Sequence, residues 1–125
     1  APAKPKAEHV TTAAAMGMSL AQIKNQDDQD CIAEIAASST NSYPYYYLGA
    51  SDSETEGVWK WEGETDPFYT TAGGCLQSGG CFWNSGEPNN NAVGGEQAMI
   101  FHIDATGAIW NDFPEGSDGE AIYVK

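Results

Sequence analysis

"GVWKWEG", residues 57–63, sets Trp59 and Trp61 on one side of an extended chain and Val58 and Lys60 on the other, the period-two signature of a strand. Two indoles on one face require a core on that side. Working outward from it, residues 7–16, "AEHVTTAAAM", are alanine-rich and read as a helix stopped by Gly17. "MSLAQIKN" (18–25) reads as a short strand. "NQDDQDCIAEIAASS" (25–39) reads as a second helix, with Asn25 as N-cap, acids in its first turn, and Ile32 and Ile35 on one face. Beyond it, "YPYYYLGASD" (43–52), "QAMIFHI" (97–103), "AIWND" (108–112) and "EAIYVK" (120–125) have strand character, with "DATG" (104–107) as a turn. Helices first and strands after predict an α+β fold, two helices flanking a small antiparallel sheet.

The 125 residues fit one domain, 1–125, with one modest core. Eighteen acids against five bases give a net charge of −13, which argues against nucleic acid and anionic membrane as partners and permits a cation. Most of these acids read as solubilising surface. No apolar run approaches the ~18 residues of a membrane span. The start, "APAKPKAEHV", lacks the apolar segment of a signal peptide and reads as a mature N-terminus or a cut boundary. Of three cysteines, Cys75 and Cys81 bracket "CLQSGGC", a short loop that can close as a local disulfide. Cys31, on the second helix, is left over and reads as a buried thiol. Three cysteines do not favour a structural zinc site, and the pairing points to an oxidising compartment.

Residues 65–95 show little periodicity and much Gly, Ser, Asn and Pro, and a loop that long in so small a domain tends to be functional. It carries "EPN" at 87–89 and is followed by Glu96, while "WND" lies at 110–112. Glu87, Asn89, Glu96, Asn111 and Asp112 supply five oxygen-bearing side chains of the kind that Ca²⁺ collects, six to eight oxygens at roughly 2.3–2.6 Å. Around such an ion a carboxylate accepts a hydrogen bond and an Asn amide can donate one, which satisfies two neighbouring sugar hydroxyls. A cis Glu87–Pro88 peptide would turn both flanking side chains to one point. The carboxylate pair Glu87 and Glu96 could also pose as a glycosidase pair, but no nucleophile–base motif accompanies His102, and an enzyme is not the reading adopted.

The order of these segments resembles the C-type lectin-like domain: "SLAQIKNQDD", "CIAEI", "YLGASDSETEGVWKWEG", "WNSGEPNN", "GGEQA", "GAIWND" and "AIYV" cover nearly the whole chain. The resemblance implies the C-type lectin-like fold with a long calcium-binding loop. It also implies a principal Ca²⁺ site of Glu87, Asn89, Glu96, Asn111 and Asp112, the last also through its backbone carbonyl. Glu-Pro-Asn is the family's version for sugars with equatorial 3- and 4-hydroxyls, the mannose, glucose, N-acetylglucosamine and fucose class. Glu87, Asn89, Glu96 and Asn111 would then touch the carbohydrate as well. Asp52 and Glu56 match acidic positions of a second calcium site whose other positions are Asn90 and Gln97 here, so that site is expected to be weak or empty. The family's two usual disulfides are missing, with Ala98 and Lys125 in cysteine positions. The expected role is calcium-dependent carbohydrate binding by a secreted or cell-surface adhesion domain. The alternative is a calcium-stabilised domain that binds protein or ice.

Trp110, Trp59 and Trp61 read as core rather than as sugar-stacking platforms, and "YPYYY" as sheet packing. His9 reads as an exposed or half-buried helix residue, and Asp66 and Asp118 as solvated.

Overall fold

A computed structural model describes residues 3–37, 45–88, 96–104 and 107–124. Helix α1 (Lys6–Ala15) ends where Gly17 turns left-handed at φ 71°, and Met18 N–H returns to Ala13 O at 2.9 Å. That closure satisfies a terminal carbonyl that would otherwise be left over. Helix α2 (Gln26–Ala37) is capped as its sequence requires, with Asn25 Oδ1 accepting the Asp28 N–H at 2.8 Å. Between the helices only Ser19–Leu20 is extended, as β1.

The strands that follow are β2 (Tyr46–Ser51), β3 (Val58–Trp61), β4 (Tyr69–Thr70), β5 (Gly74–Cys75), β6 (Ala98–Asp104), β7 (Gly107–Phe113), β8 (Glu120–Ala121) and β9 (Tyr123–Val124). The main sheet runs β5-β4-β3-β2-β6-β7, with neighbouring strands antiparallel. One pairing departs from the antiparallel expectation: β8 lies parallel to the start of β2, Tyr46 opposite Glu120. The final segment, read as one strand, is two, because β9 leaves the main sheet to pair with β1. Residues 65–95 are also less bare than expected, since β4 and β5 form a small hairpin within them.

The α+β architecture places the core between α2 and the sheet. Trp59, Trp61, Trp110 and Phe101 are buried there, with Trp61 stacked on Phe68 at 4.3 Å and edge-on to Trp110 at 5.9 Å. Truncating any of the three indoles to alanine would cost about 3–5 kcal/mol. The alternation in 58–61 is real: both tryptophans are buried, and Val58 and Lys60 are half-buried.

Three side chains stand elsewhere than the sequence suggested. Gln29, Ile32 and Ala36 form the buried stripe of α2, whereas Ile35 is 46% exposed. At about 100° per residue, Ile35 lies roughly 60° round from Ile32 on the side away from Ala36, beyond the stripe. Cys31 is exposed rather than buried for the same reason, about 100° round on that side. His9 is fully buried, because α1 turns Lys6, His9 and Ala13 inward. Its Nε2 lies 2.6 Å from Gly119 O and its Nδ1 2.9 Å from Tyr123 Oη. Since a carbonyl only accepts, Nε2 carries the proton. Lys6, also buried, donates to Ala50 O at 2.8 Å and lies 3.5 Å from Glu62.

Candidate functional site

The site is built on the outer strand of the sheet. Strand β7 is the last in the order, and the chain at 82–84 runs beside it. Trp110 N–H donates to Phe82 O and Asn84 N–H to Trp110 O, both at 2.9 Å, while Trp83 bridges to Trp110 in parallel. Peptide groups two residues apart on a strand point the same way. The backbone of Asp112 therefore faces this edge as Trp110's does, and Asn111's faces β6. Three residues past Asn84 the chain turns, with Glu87 N–H donating to Asn84 O at 2.9 Å, and the Glu87–Pro88 peptide is cis. Glu87 is thus carried to β7 by a segment docked on Trp110, immediately before Asn111 and Asp112.

The other donors come from the opposite side of β7. The β6–β7 register sets Met99 against Asp112 and Ala98 against Phe113, so Glu96 and Gln97, just ahead of β6, lie at the Asp112 end. Asp52 follows β2 at the same end and donates its N–H to Gln97 O at 3.3 Å. Its Oδ2 accepts the Gly57 N–H at 3.0 Å, and its buried Oδ1 has no hydrogen-bond partner among the described residues. The Asp52 carboxyl is raised to about 6, chiefly by burial; the Gly57 hydrogen bond opposes the rise, and Glu56 and Asp112 add to it. Glu56, Gln97 and Asp112 therefore each lie within reach of Asp52.

Of the five principal donors expected from sequence, Glu87, Glu96, Asn111 and Asp112 are placed, and Asn89 lies outside the described residues, as does Asn90 of the second set. Among the described residues, no three His, Cys, Asp or Glu side chains are close enough to hold a metal ion. Glu87, Glu96 and Asp112 flank β7 without closing into a cage of their own. The fit to a cation rests on another atom. Asn111 Oδ1 is buried and has no hydrogen-bond partner among the described residues. An uncompensated amide oxygen costs free energy, and a hard cation would satisfy it. Asp112 beside it is buried too.

Two glutamines escaped the sequence reading. Gln29 spans from α2 to β7, its Oε1 accepting the Trp110 indole N–H and its Nε2 donating to Ala108 O. Its signal was a polar residue on the apolar 29/32/36 stripe. Gln77 pins the loop between the two disulfide cysteines, taking the Trp61 indole N–H at 2.9 Å and donating to Ile23 O and Gly80 O. Cys75 and Cys81 are bonded to each other, with Cα atoms 5.8 Å apart, as their spacing suggested.

The family model of the Lectin C-type domain matches residues 8–116. Perlucin of Haliotis laevigata is 34% identical over 94 residues, which are 75% of this chain and 52% of that protein. C-type lectin domain family 4 member E of Mus musculus is 29% identical over 99 residues, 79% of this chain and 40% of that protein. The chain thus spans about half, or less, of these relatives. Among solved structures, the C-type lectin domain of murine dendritic cell inhibitory receptor 2, in complex with N-glycan, superposes with a TM-score of 0.76 at 26% identity, covering 99% of this chain and 84% of that one.

Proposed function

This chain belongs to the Lectin C-type domain family, whose members bind rather than catalyse, and from that premise we propose that residues 1–125 are a single calcium-dependent carbohydrate-recognition domain. Glu87, Asn89, Glu96, Asn111 and Asp112 hold the ion, the last with its backbone carbonyl as well. The observation that carries this reading is the buried Asn111 Oδ1, without a hydrogen-bond partner among the described residues, beside buried Asp112 on the strand against which the Glu87 segment is docked.

Bound there, calcium supplies coordination positions for two adjacent sugar hydroxyls. The side chains do the discriminating. Glu87 and Glu96 accept from the hydroxyl protons, and the Asn89 and Asn111 amides donate to the same oxygens. That pattern suits equatorial 3- and 4-hydroxyls, the mannose, glucose, N-acetylglucosamine and fucose class. The glycan complex of the murine receptor domain supports sugar as the ligand. A second ion at Asp52, Glu56, Asn90 and Gln97 is weak, because two of its four side chains are neutral amides. The domain works outside the cell, secreted or at the cell surface, in adhesion.

Thermal melts with calcium and with chelator test the ion: a hundredfold excess over Kd adds about 2.7 kcal/mol to folding, and an unchanged midpoint overturns the site. A glycan array run with and without chelator tests the sugar. Glu87→Gln with Asn89→Asp reverses the donor and acceptor order and shifts preference toward galactose. Calcium binding without any glycan binding would give the domain to a protein or ice ligand instead.

A further inference from the structure

The segment that brings Glu87 to β7 is anchored twice within a few residues. Upstream, Cys81 is covalently tied to Cys75 on β5, and downstream Phe82 and Asn84 hydrogen-bond to Trp110. The bridge closes on the strand side of the loop, while residues 76–80 have independent anchors. Leu76 N–H donates to Phe68 O at 2.7 Å, and the Gln77 carboxamide holds Ile23, Gly80 and Trp61. Opening the disulfide therefore leaves the hairpin and the core in place. What it removes is the fixed tether at the entry to 82–87, a stretch whose backbone hydrogen bonds among the described residues run from Trp110 N–H to Phe82 O, Asn84 N–H to Trp110 O and Glu87 N–H to Asn84 O. Cys75 is solvent-exposed, so its sulfur is within reach of a reductant.

We propose that the Cys75–Cys81 bridge is a reducible clamp on the segment that carries Glu87, set so that its opening loosens residues 82–87 on the edge of β7 without unfolding the domain. The reductant is a dithiol. One of its thiolates attacks Cys75 Sγ, the Sγ–Sγ bond breaks, and Cys81 leaves as a thiolate that takes a proton. The second thiol of the reductant then attacks the mixed disulfide, releasing Cys75 as a thiol. The protein gains two electrons and two protons, and the dithiol becomes a disulfide. The clamp stands on the backbone contacts alone; its effect on ligand affinity rests on the carbohydrate-binding reading.

The experiment is amide hydrogen exchange of the domain carrying Cys31→Ser, oxidised and after reduction by a dithiol, with the Cys75→Ser/Cys81→Ser form as the permanently open state. Exchange at the Asn84, Glu87 and Trp110 amides should rise about tenfold in both open forms while core amides of β2 and β6 keep their protection. No change at those three amides overturns the clamp, and so does a uniform rise across the domain, which would make the bridge a global staple. Calcium titration of the same forms is read separately. Looser amides with unaltered calcium binding keep the clamp and place Glu87 outside the ion site, and looser amides with weakened calcium binding tie the two together.

Discussion

Gln29 holds Trp110 from the far side of the core: its Oε1 accepts the indole N–H at 3.0 Å while its Nε2 reaches Ala108 O, two residues along the same strand, at 2.9 Å. One carboxamide thereby fixes the position of β7 relative to α2, and with it the strand that carries Asn111 and Asp112.

Gln29→Leu should keep the volume and abandon both partners. A buried indole N–H and a half-buried carbonyl are then left unsatisfied, each worth about 1–3 kcal/mol, so chemical denaturation should show a loss of about 2–6 kcal/mol. A loss within a few tenths of a kcal/mol would mean that water replaces the amide at no penalty.

Gly79 is pressed against the chain ahead of α2. A Cβ built there would sit 1.9 Å from Lys24 O and 2.7 Å from Asn25 Cα, and both are backbone atoms that cannot swing aside. Gly79→Ala should lower stability by about 3 kcal/mol or more, since the loop must lift. Gly116→Ala, where a Cβ meets nothing within 4 Å, is the control and should be neutral or stabilising by about 0.4–1 kcal/mol. Equal midpoints for the two variants would contradict the packing described.

Acid should weaken the ion-free domain through His9. Burial lowers its proton affinity, the Gly119 hydrogen bond and the Glu120 charge raise it, and Lys4 lowers it, with a net shift downward. A lowered folded pKa contributes stability that is present above the unfolded value of 6.5 and is lost as pH falls toward the folded one. Asp52 runs the other way: its raised carboxyl contributes stability that is full below 3.8 and is lost as pH rises through about 6. The two are separated by subtraction. In chelator, His9→Gln, which keeps a polar group but does not titrate, should lose less stability between pH 7.5 and 5 than the parent does. Parallel curves would remove His9 from the account.

Salt should stabilise. A net charge of −13 on 125 residues repels itself, and the distance over which charges feel one another falls from roughly 10 Å at 0.1 M to 3 Å at 1 M. Against this stand exposed pairs such as Lys24–Glu64 and Lys60–Glu54, which contribute at most about 1 kcal/mol each. Repulsion wins, and the melting midpoint in chelator should rise with sodium chloride. A fall would show that the ion pairs matter more than the net charge.

Much of the architecture was legible because the strongest local signals agreed with it. Asn25 caps the helix that its side chain predicts, and the Trp59/Trp61 alternation survives as burial. The rest was not, for separate reasons. His9 lies on an alanine-rich helix with little amphipathic contrast, so nothing local says which face turns inward; that is decided by Gly119 and Tyr123, far away in sequence. Strands β4 and β5, two residues each, are shorter than any periodicity can register. Ile35 and Cys31 were misjudged because a one-residue step in a helix is a large rotation. For the candidate site, oxygen-bearing residues can be read from composition and spacing, but the burial of the Asn111 oxygen and the Asp52 environment exist only once β2, β6 and β7 are side by side.

Strand β7 ends the sheet, and its outward peptide groups are the kind that another chain can add to. Two of them are covered by different things: Ala108 by a side chain of α2, and Trp110 by the stretch at 82–84. That stretch is therefore also a guard against aggregation. If it lifts away, β7 becomes an open template for a foreign strand, and the first visible consequence is self-association of otherwise folded molecules.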